Sequence, residues 1–135
     1  MAEEYISSYL AEKLKLYGYP VKYEIQGKFG LTEVKKVIKR IKINDVLDWF
    51  RNEKGIFIPI NIKYSYNDEN NMPLKEPYLV GFYYGIYRLE KNSTDNIKVH
   101  EIETHDLNFY KTYEEAAVNG IIYVLEKIND YESKR

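Results

Sequence analysis

The chain has 135 residues, a net charge of −1 and no cysteine. This length suffices for one hydrophobic core, and we expect a single domain over residues 1–135. The lack of cysteine excludes disulfides, thiolate nucleophiles and cysteine-ligated metals, and the first residues have neither the basic nor the apolar run of a targeting segment. We therefore expect an intracellular, cytoplasmic protein with no membrane segment.

Two elements are predicted near the N-terminus. Ser7 or Ser8 is a suitable N-cap for a helix that ends at Gly18, and Tyr9 is expected on its buried face. Apolar and polar residues then alternate over residues 21–26, which predicts a strand with one solvated face.

A basic segment and a second helix come next. Residues 34–43 fit either a helix or an extended segment, and their β-branched side chains favour the extended form. Asn44 is predicted to cap the second helix, because Asp45 follows it in the first turn, where the helix dipole favours a carboxylate. Gly55 is expected to end this helix.

The middle of the chain predicts two long strands. Isoleucine and tyrosine alternate with other residues over residues 56–66. Pro59 requires an edge position or a bulge there, because it cannot donate a ladder hydrogen bond. Residues 78–90 are the second strand, in which Gly81 and Gly85 permit a bend or the close approach of another segment.

A third strand, over residues 97–104, precedes the clearest helix of the sequence, residues 112–128. Thr112 and Glu115 have the spacing of a capping box. Small residues such as Gly120 on the apolar face of this helix allow its backbone to lie close to a sheet. The predicted fold is α+β, with a curved antiparallel sheet of about four strands and two or three helices packed on one face.

Three stretches of helix caps and core residues follow one another from end to end. They read I-S-S-Y-L-A-E-K-L-K-L-Y-G-Y over residues 6–19, N-D-V-L-D-W-F-R-N-E-K-G-I-F-I over residues 44–58 and F-Y-K-T-Y-E-E-A-A-V-N-G-I-I-Y-V-L-E-K-I over residues 109–128. Together they resemble a family of small uncharacterised proteins from phages, prophages and other mobile elements of Bacteroidetes. The resemblance implies a compact α+β fold and a phage or mobile-element accessory protein in the host cell interior, and it supplies no catalytic residues.

Tyrosine is the compositional outlier, with 15 residues in 135. Strand alternation places Leu79, Tyr83 and Tyr87 on one face and Tyr84 on the other. Core packing is one interpretation of these rings, and an uncovered face that binds a protein partner or a second copy is the alternative. The candidate residues flank the connection between the two long strands: Tyr64, Tyr66, Tyr78, Tyr83, Tyr84 and Tyr87.

A cluster of cations supports a second interpretation. Five positive side chains lie within eight residues, and such clusters neutralise phosphates. A solvated edge strand whose lysines prevent aggregation is the plainer explanation. With the tyrosines and Arg88, the cluster would make a small-molecule or nucleotide-sequestering protein, although a slightly acidic chain disfavours nucleic acid as the partner. The cluster consists of Lys35, Lys36, Lys39, Arg40 and Lys42.

The sequence H-E-I-E-T-H-D, over residues 100–106, is the one place where imidazoles and carboxylates cluster. On a strand, His100 and His105 project from opposite faces, so they cannot bind one ion together without a bulge. A metal-dependent enzyme at this cluster is the least favoured function, and we expect no catalytic residues, no metal and no cofactor. The favoured function is a non-catalytic domain that binds a protein partner or itself.

Overall fold

The computed structural model describes residues 5–27, 35–91, 97–103 and 109–133. Helices and antiparallel strands make up this part of the chain, which confirms the α+β class. The helices are α1 Ser8–Leu16, α2 Ile43–Trp49 and α3 Tyr113–Ser133, and a π-helical turn, Phe50–Lys54, directly follows α2. The strands are β1 Tyr23–Gln26, β2 Lys35–Ile38, β3 Ile56–Phe57, β4 Ile60–Asn67, β5 Pro73–Tyr84, β6 Ile86–Lys91 and β7 Ile97–Glu103.

Hydrogen bonds divide these strands among three small antiparallel sheets. β1 pairs with β2, β4 pairs with β5, and β6 lies between β3 and β7. The strands thus do not form the one ladder of about four strands that was predicted, because Pro59 and Gly85 separate β3–β6 from β4–β5. One hydrogen bond spans this break, since the Gly85 N–H donates to the Pro59 carbonyl at 3.0 Å. The pairing register between the two strands is unchanged across the break, since Phe57 pairs with Tyr87 before it and Ile60 pairs with Tyr84 after it.

The first helix has the predicted cap. The Ser7 Oγ accepts a hydrogen bond from the Leu10 N–H at 3.2 Å, and Gly18, with a φ of 100°, follows the last turn. Gly55, with a φ of 65°, ends the π-helical turn in the same left-handed way. The prediction that Tyr9 is buried is wrong, because the buried stripe of α1 is narrow and leaves this ring 70% exposed. That stripe consists of Leu10, Ala11 and Leu14.

The basic segment is extended over residues 35–42, Val34 lies outside the described residues, and Ile43 is already helical. The second helix also corrects a prediction. β2 lies within residues 34–43. α2 begins at Ile43, one residue before the predicted cap Asn44, and its N-cap Lys42 makes no side-chain capping bond. Packing sets this start, because Ile43 is only 4% exposed. The Asn44 side chain instead accepts a hydrogen bond from the Tyr113 hydroxyl at 3.4 Å.

The last helix closes the core against the sheet. The Thr112 Oγ1 accepts from the Glu115 N–H at 3.1 Å, and the Glu115 carboxylate accepts from the Lys111 N–H at 3.3 Å, so half of the predicted capping box forms. A Cβ atom on Gly120 would lie 2.9 Å from the Ile58 Cγ2, which confirms the close approach. The largest fully buried side chains are Phe50, Leu14, Ile86, Ile121, Val46 and Val124.

Candidate functional site

One apolar stripe changes from buried to exposed along the long hairpin. Ile58 is 4% exposed, and Ile60 is partly buried against the core. Farther along the same alternation, Ile62, Tyr64 and Tyr66 are 54%, 46% and 57% exposed. The stripe therefore continues past the edge of the helices that cover its first half.

We call residues 62–80, the outer part of the β4–β5 hairpin, the distal ribbon. In the pairing of β4 with β5, Tyr64 lies opposite Leu79. Because cross-strand partners share a face, the two side chains lie on the same side of the ribbon. The prediction that Leu79 shares a face with Tyr83 is wrong, because Val80 is an extra residue on β5 that shifts the pairing between the two strands. We call the exposed row on this face the aromatic stripe: Ile62, Tyr64, Tyr66 and Leu79.

The predicted tyrosines divide between the base of the hairpin and the distal ribbon. The Tyr84 ring lies 6.2 Å from both the Tyr110 and Tyr123 rings, and Tyr83 meets Phe109 edge to face at 6.1 Å. Core packing thus accounts for part of the tyrosine content, and the rest is exposed. Tyr83, Tyr84 and Tyr87 are partly buried at the base, whereas Tyr64, Tyr66 and Tyr78 lie exposed on the ribbon.

The outer edge of β4 presents the backbone of the same residues that form the aromatic stripe. The Phe82 N–H and carbonyl bond to Tyr110, at 2.8 and 2.7 Å, so they point away from Ile62, which lies opposite Phe82. Backbone directions alternate along a strand. The N–H and carbonyl groups of Ile60 and Ile62 therefore point away from β5, as do those of Tyr64 and Tyr66. Among the described residues, β4 pairs with β5 alone.

An open groove of about 550 Å³ lies at the base of this edge. Arg51 bonds Asp48 there, with Nη2 2.9 Å from Oδ1. Burial raises the pKa of the Tyr113 hydroxyl, and the nearby carboxylates of Glu114 and Asp48 add to the shift. The groove thus combines an Arg51–Asp48 ion pair with a phenol and apolar walls. Its lining residues include Asn44, Leu47, Phe57, Ile58, Pro59 and Ile60.

The predicted basic cluster contacts a different set of tyrosines. The Lys36 ammonium lies 4.5 Å from the centre of the Tyr23 ring, and the Arg40 guanidinium lies 4.9 Å from that of Tyr5. Arg88 is an ion-pair partner of Glu90, at 3.7 Å. Lys35 and Lys39 are exposed. The contacts of the described residues therefore bring the cluster to Tyr5 and Tyr23, two rings outside the predicted set of tyrosines. Nucleotide binding remains a prediction.

A second apolar groove, of about 320 Å³, lies between α1 and α3. Its rim includes Leu16 and Tyr9, which are 83% and 70% exposed. Unlike the distal ribbon, this groove offers no row of backbone hydrogen-bonding groups, because the helices use their own. It is the natural comparison surface for experiments on the ribbon.

The predicted histidine cluster is only partly described. His100 lies on β7 opposite Arg88, and His105 lies outside the described residues. Within the described part of the chain, no group of three or more His, Asp or Glu side chains is arranged to hold a metal ion. None of the described helices has both the length and the apolar composition needed to cross a bilayer.

Comparison with known proteins finds no matching family model, no matching curated protein and no matching solved structure.

Proposed function

We propose that this protein is a non-catalytic interaction domain whose binding surface is the distal ribbon, with a protein chain as its partner. The β3–β6–β7 and β4–β5 sheets, joined by the Gly85–Pro59 hydrogen bond, act together as one curved sheet whose far end is left uncovered by the helices. Following the resemblance in the sequence, we propose further that it is an accessory protein of a phage or mobile element in the host cytoplasm.

The observation that carries this proposal is the change in exposure along one stripe. The side chains of the aromatic stripe keep about half of their surface in water. Full burial of a side chain of this size contributes about 1.5–3 kcal/mol, so a covering partner gains roughly half of that at each position. A two-stranded hairpin is itself marginally stable in water, and added strands or packing stabilise it.

The mode of binding that fits both features is strand addition. An extended segment placed along the outer edge of β4 would bond to the outward N–H and carbonyl groups of Ile60, Ile62, Tyr64 and Tyr66. Its side chains would extend the aromatic stripe on the same face. Backbone pairing then supplies affinity, and the aromatic side chains supply specificity.

The test compares two baits in the native cell extract. Tyr64→Ser with Tyr66→Ser removes the rings of the stripe, and Tyr9→Ser with Leu16→Ser alters the α1–α3 groove as a matched control. We expect the ribbon variant to lose a partner that the control variant retains, with hydrogen-exchange protection by that partner confined to β4 and its neighbours. A partner that the ribbon variant retains and the groove variant loses would contradict the proposal.

A further inference from the structure

We infer that the partner at this surface is a second copy of the chain, with the two β4 strands paired antiparallel about a two-fold axis at Tyr64. This inference rests on the proposed function, since it uses the same edge and the same stripe.

The charge pattern of β4 selects this register. Lys63 is the only charged residue of β4. An axis at Lys63 would place two ammonium groups directly opposite each other, which is destabilising. An axis at Tyr64 instead places Lys63 opposite Ser65 of the second copy. Asn61 then lies opposite Asn67 of the second copy. The Lys63–Ser65 pair carries one charge, and the Asn61–Asn67 pair carries none.

The backbone directions agree with the same register. Residues with outward N–H and carbonyl groups must face one another across an antiparallel pair for both bonds to form. An axis at Tyr64 pairs Ile62 with Tyr66 of the second copy, and Tyr64 with itself, and all three have outward groups. An axis at Ile62 would pair only residues 60–64 of β4 with one another, whereas the axis at Tyr64 pairs residues 61–67. An axis at Ser65 would shorten the paired segment.

The side chains and the groove are consistent with a second copy as the occupant. The aromatic stripes of the two copies become adjacent and form one continuous apolar surface. The turn of the second copy reaches the base of the first, with Glu69 level with Pro59, beside the groove that contains Arg51. That turn is preformed, because the Asp68 carboxylate accepts from the N–H groups of Asn70 and Met72, both at 2.9 Å. In this register an acidic residue approaches the guanidinium of Arg51, which already forms an ion pair with Asp48.

The first experiment measures association by sedimentation velocity over a concentration series. Ile62→Pro removes an N–H at the outer edge and leaves the bonds between β4 and β5, whereas Ile62→Thr keeps the N–H. We expect a wild-type dimer and, for Ile62→Pro, an association constant lower by about thirtyfold or more, since each dimer loses two backbone hydrogen bonds. Ile62→Thr should associate more tightly than Ile62→Pro. Thermal melts establish that both variants are folded.

The second experiment reads the register directly, because the chain has no cysteine of its own. Lys63 and Ser65 of opposite copies form a pair without mutual backbone bonds, with Cα atoms about 4.5 Å apart, which suits a disulfide. A mixture of Lys63→Cys and Ser65→Cys should oxidise mainly to the mixed disulfide. Either variant alone should cross-link less. Arg51→Glu and Glu69→Arg should each weaken the dimer, and the double variant should restore it.

The outcomes separate this inference from the proposed function. A protein that stays monomeric over the whole concentration series overturns the second copy as partner, while the bait comparison continues to decide whether the ribbon binds another protein. A dimer that Ile62→Pro leaves intact, or in which Lys63→Cys cross-links to itself as readily as to Ser65→Cys, overturns the register at Tyr64.

Discussion

The two halves of the long hairpin have the same sequence pattern and opposite surroundings. In the inner half, Ile58 lies under Gly120 of α3 and is 4% exposed; in the outer half, Ile62 continues the alternation and is 54% exposed. Alternation determines which residues share a face. It does not determine whether that face is covered, because coverage depends on where the helices end.

The largest difference is expected when the same charge is introduced in each region. Ala117 is fully buried on α3, so Ala117→Glu places an unpaired carboxylate in the core, which costs a large part of the roughly 5–15 kcal/mol that stabilises a typical domain. We expect this variant to be unfolded by circular dichroism. Tyr64→Glu on the ribbon should remain folded, with a loss of about 1 kcal/mol or less. Equal destabilisation by the two substitutions would contradict the division of the hairpin into a covered inner half and an exposed outer half.

A matched pair of isoleucines tests the same comparison without charge. Ile58→Ala removes a buried side chain and should cost about 2–5 kcal/mol in urea unfolding. Ile62→Ala changes a half-exposed position on the same stripe and should cost about 1 kcal/mol or less, measured where the protein is monomeric. If Ile62→Ala destabilises the monomer as much as Ile58→Ala, the outer half belongs to the core.

The contact between α3 and the hairpin gives an intermediate effect. A Cβ atom on Gly120 would lie 2.9 Å from Ile58 and 3.1 Å from the Tyr84 ring. Gly120→Leu must therefore displace the sheet or the helix, at about 1–3 kcal/mol or more, and Gly120→Ala less. Thermal melts of the two variants check this order. If the Gly120→Leu protein has the melting temperature of the wild type, α3 does not lie in close contact with the sheet at Gly120.

The smallest effect concerns alkaline pH on the core side. Burial of the Tyr19 ring, with Asp45 nearby, raises the pKa of its hydroxyl above the usual value. A tyrosine in the unfolded chain ionises near pH 10, at about its ordinary pKa, so stability is complete below that value and falls as pH rises through the folded pKa. Tyr19→Phe should make this fall shallower in unfolding curves between neutral and alkaline pH. The matched control is Tyr9→Phe on the exposed side of α1, and an equal change in both variants would contradict the assignment.

Much of the fold is predictable because its signals are local. Ser7 and Thr112 have capping spacings, and Gly18 and Gly55 stand where helices end. The strand breaks follow from Pro59, which cannot donate, and from its partner Gly85. In contrast, Asn44 fails as a cap because burial of the preceding isoleucine sets the start of α2, and that is a tertiary effect.

The candidate site is less predictable for the same reason. The exposed tyrosines Tyr64, Tyr66 and Tyr78 are among the predicted ones, yet nothing local distinguishes them from Tyr84, which packs beside α3. The place of Leu79 in the aromatic stripe depends on the extra residue Val80, and a register shift of this kind requires the partner strand to be known. The contacts of Lys36 and Arg40 with Tyr23 and Tyr5 likewise join segments that are separate in sequence.

Residue-resolved amide hydrogen exchange in dilute solution is the most direct test of the division between a self-sufficient core and a ribbon that, as we propose, a partner completes. The amides of Asn61 and Lys63 point toward β5, and those of Ile121 and Val124 lie within α3. We predict that the two ribbon amides exchange through local opening at a much lower free energy than the two helix amides, which require global unfolding. Equal protection of all four amides would contradict the account, because the ribbon would then be as stable without a partner as the core.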